Sequence, residues 1–179
     1  TAVGASALIA NTTGNNNIAL GSNALSSGTT VYGNVAIGTD TLKNVGSTNY
    51  NVAVGYLALT ANTTGQPNTA VGSWALSGNT TGSSNVAIGY QAGSAGGPSS
   101  ANTTGTGNTF IGAGAGPGTT TQLSNATAIG NNAVVTASNS IVLGSLGTSV
   151  GIGITNPSTM LQVGGEISPA ADNAYSLGD

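Results

Sequence analysis

The chain has 179 residues, of which only 3% are charged, and its formal net charge is −3 with no His and no Cys. Soluble domains usually contain about 25% charged residues, and this composition excludes the basic surface that nucleic-acid binding needs. The sequence also lacks the run of about 18 apolar residues that crosses a membrane and the His or Cys ligands of a zinc site. We therefore expect no nucleic-acid partner, no membrane insertion, no metal or cofactor, and no enzymatic activity.

From its first residues the chain repeats one phrase, N-[VIT]-A-[ILV]-G, followed by a segment rich in Asn, Thr, Ser and Gly. The glycine that ends the phrase returns every 17 residues up to Gly89, and then at spacings of 23, 18 and 14 residues. These turn glycines are Gly4, Gly21, Gly38, Gly55, Gly72, Gly89, Gly112, Gly130 and Gly144. A fixed period of this length is typical of solenoids, whose repeats stack on one another. We predict an all-β parallel β-solenoid, a β-roll of about nine stacked rungs, over residues 1–149.

The three residues before each turn glycine alternate as in a β-strand, so Val35 and Ile37 share one face and Ala36 takes the other. The larger residues, together with Leu42 further along the repeat, are expected to fill the interior in columns. The opposite face then carries small residues, which indicates that another surface approaches closely. We predict that this face lies against a neighbouring chain of a homotrimer or against another rung surface. Phe110, after the 23-residue spacing, is expected to mark a bulge or to fill a wider gap. The interface residues are Ala36, Ala53, Ala70, Ala87 and Phe110.

An asparagine heads each phrase, and Asn34, Asn51, Asn68 and Asn85 are predicted to stack as a structural ladder of side-chain amides. A ligand site is the weaker interpretation of this column. A second asparagine belongs to the recurring segment NTTG, for example at residues 62–65. NTTG matches the acceptor pattern for N-glycosylation, but Asn and Gly tolerate left-handed backbone, and a turn is the favoured interpretation.

Aromatic residues follow the turn glycine in several repeats. Tyr56 and Tyr90 come directly after it, and Trp74 comes one residue later. Exposed aromatic side chains can stack on sugar rings, and these three residues are candidate surface-binding positions. They can equally pack on neighbouring rungs, and the sequence leaves the two interpretations open.

The phrases NTAVG…ALSGNTTGS and NVAIGYQAG resemble the repeats of trimeric phage and viral tail fibres. They also resemble the head repeats of trimeric autotransporter adhesins, whose shorter unit is close to the 14-residue step from Gly130 to Gly144. The resemblance covers about residues 1–147. It implies a left-handed parallel β-roll in which three chains form a homotrimer.

Residues 150–179 abandon the repeat and resemble the segment that precedes the intramolecular chaperone domain of endosialidase-type tail spikes and fibres. The matching residues are Gly151, Ile152, Gly153, Pro157, Leu161, Val163, Gly165, Asp172, Asn173, Tyr175, Leu177 and Gly178. The resemblance implies that the chain is a piece of a longer protein in which a chaperone domain comes next. We expect residues 150–179 to form a short β element that caps the solenoid or connects it to that domain. Gly164 and Gly165 are expected to turn a hairpin between MLQV and EIS.

Together these features predict a structural and receptor-binding section of a phage or viral tail fibre, a rigid trimeric rod for host attachment. The expected partners are two further copies, a host cell-surface glycan or protein receptor, and other tail or fibre proteins; the expected location is the virion. The alternative is the head domain of a trimeric adhesin on the outside of a bacterium. Ice binding is a weaker hypothesis, because adjacent threonines such as Thr63 and Thr64 lie in loops rather than in flat strand columns.

Overall fold

The computed structural model describes residues 1–94 and 100–165. The chain divides into two compact units, Thr1–Ser145 and Leu146–Asp179. Within the described residues every regular element is a β-strand, which confirms the predicted all-β class. None of these residues belongs to a helix of the length and apolarity needed to cross a membrane.

The first unit is a parallel β-solenoid built on one sheet of nine short strands. The strands of this sheet are β1 (Ala2–Val3), β2 (Ile18–Leu20), β3 (Val35–Ile37), β4 (Val52–Val54), β5 (Thr69–Val71), β6 (Val86–Ile88), β7 (Thr109–Ile111), β9 (Thr127–Ile129) and β11 (Ile141–Leu143). Strands that follow one another along this sheet pair in parallel, and the chain makes about eight turns. Two shorter strands, β8 (Gly116–Pro117) and β10 (Val134–Val135), form a separate parallel pair. The parallel solenoid predicted from the repeat is confirmed.

Backbone hydrogen bonds place equivalent residues of successive turns above one another. Ala36 of β3 pairs with Ala53 of β4, which in turn pairs with Ala70 of β5. The segment after the turn glycine is bonded in the same way, since the N–H of Leu42 donates to the carbonyl oxygen of Ala58 at 3.1 Å. Each position of the repeat therefore forms a column along the solenoid.

The middle residue of each central strand points into the solenoid and the two flanking residues point outward. Ala36, Ala53, Ala70, Ala87 and Phe110 are all 0% exposed within a single chain. The prediction that they form a trimer interface is therefore wrong, because no surface of theirs is left for a neighbouring chain. The prediction that the larger flanking residues fill the interior is also wrong, because these residues point out of the solenoid. The strands alternate as predicted, but the inner and outer faces are exchanged.

A leucine column occupies the interior beside the middle residues of strands β2 to β5. The fourth residue after the turn glycine is Leu25, Leu42, Leu59 or Leu76 in successive turns, and each is fully buried, as predicted. Protein interiors are packed to crystal-like density. Opposite a buried leucine, the strand therefore contributes an alanine.

The only phenylalanine of the chain shows how a change in one column is compensated in the other. Phe110 stands where the neighbouring strands β6 and β9 have Ala87 and Ala128, and Gly93 stands at the leucine position of the preceding turn. A Cβ atom on Gly93 would lie 3.0 Å from Cδ2 of Phe110 and 2.6 Å from Cδ2 of Leu76. The phenylalanine ring occupies the space that the missing leucine leaves. This space lies inside the chain at Gly93, not in a gap of a trimer interface as predicted.

Asparagine side chains form a hydrogen-bonded ladder inside the solenoid. The N–H of Asn51 donates to Oδ1 of Asn34 at 2.9 Å, and the N–H of Asn68 donates to Oδ1 of Asn51 at 2.9 Å. Nδ2 of Asn68 donates to the carbonyl oxygen of Gly82 at 2.9 Å, and the N–H of Asn85 donates to Oδ1 of Asn68 at 2.9 Å. These amides pair backbone groups that are buried away from water and would be costly to leave unpaired.

The asparagine of NTTG forms a second, shorter ladder that the sequence analysis did not predict. Nδ2 of Asn62 donates to the carbonyl oxygen of Gly65 at 2.9 Å, and Nδ2 of Asn79 donates to Oδ1 of Asn62 at 3.0 Å. A Cβ atom on Gly65 would lie 2.6 Å from Oδ1 of Asn62, so this asparagine requires the glycine three residues after it. Asn62, Asn79 and Asn102 are buried, which favours the turn over the glycosylation interpretation at these positions.

The turn glycine is required where successive turns approach most closely. Gly55 has φ 129°, and a Cβ atom there would lie 2.5 Å from the carbonyl carbon of Gly72. Glycine adopts this backbone conformation without a steric penalty. Four residues later the chain is again left-handed, with φ 50° at Leu59. There the burial of the leucine side chain offsets the conformational cost.

The second unit contains β12 (Val150–Ile152) and β13 (Leu161–Val163), which pair in parallel with Val150 opposite Leu161. These two strands form a sheet of their own. Residues 166–179 lie outside the described residues, and with them lie the predicted hairpin to EIS and the matching residues from Asp172 to Gly178. A capping or connecting role for residues 150–179 stays a prediction.

The volume that Phe110 and Gly93 share predicts a compensating pair of substitutions. Phe110→Ala should leave a cavity and lower the free energy of unfolding by about 3–5 kcal/mol. Gly93→Leu alone should also destabilise, because the leucine collides with the phenylalanine ring. The double variant restores the leucine and alanine of the regular turns, so its loss should be smaller than the sum of the two single losses. Thermal unfolding followed by circular dichroism measures this, and strictly additive losses would show that the two sites are independent.

Removing one amide from the asparagine ladder should destabilise the solenoid. Asn68→Ala leaves the buried N–H of Asn85 without its acceptor and should lower the free energy of unfolding by about 1–3 kcal/mol. Asn68→Asp keeps an acceptor oxygen but buries a carboxylate, so its loss should be larger at neutral pH and shrink in acid. The matched control is Asn44→Ala at an exposed position, with an expected change below about 0.5 kcal/mol. Equal unfolding temperatures for Asn68→Ala and the control would refute a stabilising ladder.

Candidate functional site

The outward face of the nine-stranded sheet is an apolar strip two side chains wide. It consists of the first and third residues of strands β2 to β7, β9 and β11, and we call it the outer strip. Its residues are Ile18, Leu20, Val35, Ile37, Val52, Val54, Thr69, Val71, Val86, Ile88, Thr109, Ile111, Thr127, Ile129, Ile141 and Leu143. The exposed fraction ranges up to 46% at Leu20 and 72% at Ile141. In a single chain the strip therefore faces solvent along the whole sheet.

The outer strip is chemically suited to association with another apolar surface. Every one of its residues is aliphatic or threonine, so covering the strip desolvates no charge. Monomeric proteins rarely expose contiguous apolar patches larger than a few hundred Å². The side chains repeat along the sheet at the strand spacing of about 4.8 Å. A partner with the same spacing could place side chains between them at every turn.

A second candidate surface begins just after the turn glycine. The ring centroids of Tyr56 and Trp74 are 5.6 Å apart with an interplanar angle of 79°, an edge-to-face contact between successive turns. Trp74 nevertheless stays 39% exposed. Its φ of 65° matches the left-handed backbone of Leu57 and Gln91, which are also the second residue after a turn glycine. The backbone at this position is thus the same in each turn, and only the side chain differs.

Trp74 lines a shallow depression of about 340 Å³ on the surface of the solenoid. Gln91, Thr60, Ser77, Ser94 and Ala101 also line it. Gln91 lines a second depression of about 310 Å³ as well, together with Gly114, Pro117, Asn132 and Val134. The two depressions therefore share Gln91 as a lining residue.

The structure brings together two of the three predicted aromatic positions. Tyr56 packs on Trp74 of the next turn, and both side chains remain partly exposed. This pair therefore packs between turns and is also accessible to a ligand. Tyr90 is 55% exposed and lines neither of the two depressions. Sequence reasoning missed Gln91, although it occupies the same repeat position as Trp74 one turn later. That shared position was the signal that could have identified it.

The charged residues of the solenoid form a local pair in an earlier turn. Oδ1 of Asp40 accepts a hydrogen bond from Nδ2 of Asn23 at 2.9 Å and lies 3.0 Å from Nζ of Lys43. The hydrogen bond from Asn23 and then the Lys43 ammonium stabilise the ionised carboxyl and lower the pKa of Asp40 below its ordinary value. The described residues contain no group of three His, Cys, Asp or Glu side chains that could hold a metal ion. The surface around Trp74 is accordingly built from neutral groups.

Comparison of the chain with protein-family models, with curated proteins and with solved structures finds no significant match. A proposal about function therefore has to be based on two surfaces of the chain itself, the outer strip and the depressions next to Trp74.

The lowered pKa of Asp40 predicts a small loss of stability in acid. The ionised carboxyl contributes stability above its unfolded pKa, and this contribution is lost as the pH falls through the lower folded pKa. At neutral pH the natural chain should therefore be slightly more stable than Asp40→Asn, and the two should converge in strong acid. Asn23 shows that asparagine fits this position, since its φ is 55° against 55° for Asp40. A pH series of unfolding temperatures measures this, and a difference that stays constant with pH contradicts it.

Proposed function

We propose that this chain is a rigid structural section of a homotrimeric attachment fibre, of the kind found in phage and viral tails. The observation that carries the proposal is the outer strip, an uncharged apolar face that runs along the whole sheet of a solenoid whose interior is already filled. Covering that face requires a partner of matching length. Another copy of the chain has that length and the same spacing of side chains.

A threefold arrangement can cover both columns of the outer strip. In a closed ring of three chains, each chain meets two neighbours, so one column can face each neighbour. The columns contain Val, Ile and Leu, whose burial contributes roughly 25 cal/mol for each Å² removed from water. The alanines stay in the interior of each chain in this arrangement. The trimer proposed here therefore has a different interface from the one that the sequence predicted.

The construction of the solenoid supports a mechanical role. Each turn is tied to the next through the backbone and through amide ladders, as in the bond from the N–H of Asn68 to Oδ1 of Asn51. Bonds between turns run along the long axis, so a pull along the axis loads several of them in every turn. A rod built this way resists extension without cofactors or disulfides.

The alternative function is the head domain of a trimeric adhesin on a bacterial surface. The same solenoid and the same outer strip serve both functions, which differ in the domain that comes next along the chain. A chaperone domain downstream favours the fibre on a virion, whereas a coiled-coil stalk with a membrane anchor favours the adhesin. Sequencing the full gene separates the two.

Charges placed on the outer strip should dissociate the trimer without unfolding the chain. The double variant Val54→Lys/Val71→Lys should be monomeric by analytical ultracentrifugation, because six ammonium groups would be buried without partners in the trimer. Its circular dichroism spectrum should remain that of the natural chain, since both residues point out of the solenoid. The matched control, Ser47→Lys/Thr64→Lys, places the same charges on exposed loop residues and should remain trimeric.

Two results would contradict the proposal. A natural chain that is monomeric at micromolar concentration would refute the homotrimer. A Val54→Lys/Val71→Lys variant that remains trimeric would refute the outer strip as its interface. Attachment itself is measured by adsorption of the fluorescently labelled chain to a panel of bacterial strains, and adsorption to none of them would count against the receptor-binding part.

A further inference from the structure

The exposed indole of Trp74 is not needed for the solenoid. The same repeat position holds Leu57 one turn earlier and Gln91 one turn later, with the same left-handed backbone. A tryptophan at a partly exposed position leaves a large apolar area in water that a smaller residue would not. Its edge-to-face contact with Tyr56 holds the ring in place on the depression rather than burying it. This geometry leaves part of the indole available to a ligand.

The rest of the depression supplies neutral hydrogen-bonding groups. The side-chain amide of Gln91 makes no hydrogen bond to any described residue, so it has both a donor and an acceptor to offer. Oγ of Ser77 lies 3.1 Å from Oγ of Ser94, and whichever hydroxyl donates, Oγ of Ser77 can still accept a further hydrogen bond. An aromatic face beside amide and hydroxyl groups is complementary to a sugar ring, which has an apolar C–H face and a rim of hydroxyls.

The charge distribution restricts which sugars fit. Lys43 belongs to the turn two before that of Trp74, about 10 Å along the axis at the strand spacing. It is also already paired with Asp40 at 3.0 Å. A sialic acid or a sulfated sugar would lose hydration of its anionic group in this depression and find no cation there. The site therefore favours neutral sugars.

The backbone around the depression is unsuited to an extended peptide. The N–H of Gln91 donates to the carbonyl oxygen of Ser73 at 3.0 Å, and the N–H of Gly93 donates to that of Ala115 at 2.8 Å. These donors are committed to the ladder between turns. A peptide that binds by strand addition needs free backbone groups along an edge, whereas a sugar needs only the side chains.

We propose that the two depressions that share Gln91 form a binding site for a neutral oligosaccharide that lies along the solenoid axis. One ring stacks on Trp74, and the amide of Gln91 bonds to hydroxyls on both sides of the link to the next ring, which lies towards Asn132. The combined space of about 340 and 310 Å³ suits a small ligand of more than one ring. This inference rests on the proposed attachment function and names the class of receptor for it.

The test uses the chain of residues 1–179 on an array of neutral, sialylated and sulfated oligosaccharides, and then titration calorimetry of the strongest neutral ligand. The natural chain should bind neutral members and show no preference for the anionic ones. Trp74→Leu, which copies Leu57, should lower affinity about tenfold or more, the loss expected when a stacking aromatic is removed. Gln91→Leu should also weaken binding. The matched control is Tyr50→Ser, an exposed aromatic outside both depressions; it copies Ser84 two turns later and should bind as the natural chain does.

Circular dichroism and ultracentrifugation of the same samples separate this proposal from the proposed function. A preference for anionic sugars, or equal affinity of Trp74→Leu and the natural chain, overturns the sugar site while trimers and adsorption to cells leave the attachment function standing. An intact chain that binds no oligosaccharide but adsorbs to cells also overturns it and indicates a protein receptor. A chain that binds neutral sugars through Trp74 but remains a monomer keeps the site and overturns the trimeric fibre.

Discussion

Backbone hydrogen bonds between successive turns, such as the one from the N–H of Leu42 to the carbonyl oxygen of Ala58, keep each repeat position above its counterpart. Because the bonds recur at every turn, the cross-section can hardly change along the 17-residue turns of the solenoid. The leucine and alanine columns, the amide ladders and the turn glycines all depend on this constancy. At the first departure from the leucine column, Phe110 and Gly93 together fill the space that an alanine and a leucine fill in the preceding turns.

The same constraint divides the molecule into uniform and variable positions. In the turns of 17 residues the inward positions repeat, with Leu25, Leu42, Leu59 and Leu76 in one column and alanine in the middle of each strand, because each must fit the same space. The outer strip varies only among aliphatic residues and threonine, as expected if it also meets a regular surface. The second position after the turn glycine is different, since it holds Asp40, Leu57, Trp74 and Gln91 in consecutive turns. The proposed sugar site uses this position, where the backbone is constant and the side chain is free to differ.

Much of the fold could be predicted because the repeat is itself structural information. The 17-residue period implied parallel stacking, and the recurring leucine implied a buried column. Alternation within a strand, however, says only that Ala36 and its neighbours face opposite ways. The larger residues were assigned to the interior on size, whereas the interior was already occupied by Leu42. The sequence signal that could have oriented the strands was the paired change at Gly93 and Phe110. It can be interpreted only once the two residues are known to be in contact. For the site, Tyr56 and Trp74 stood out as aromatics, but Gln91 looked like any polar loop residue.

The pairing of Asn62 with Gly65 has a consequence for how such a rod can change its length. Both partners lie in the same 17-residue segment, three positions apart, so a duplication or deletion of one segment carries the complete pair with it. Recombination between segments can therefore lengthen or shorten the rod by whole turns and leave the remaining contacts intact. Gly93 and Phe110 are different, because they belong to consecutive segments. A crossover between them would separate two residues that share one space and should destabilise the solenoid, whereas the regular turns before them can be duplicated without that cost.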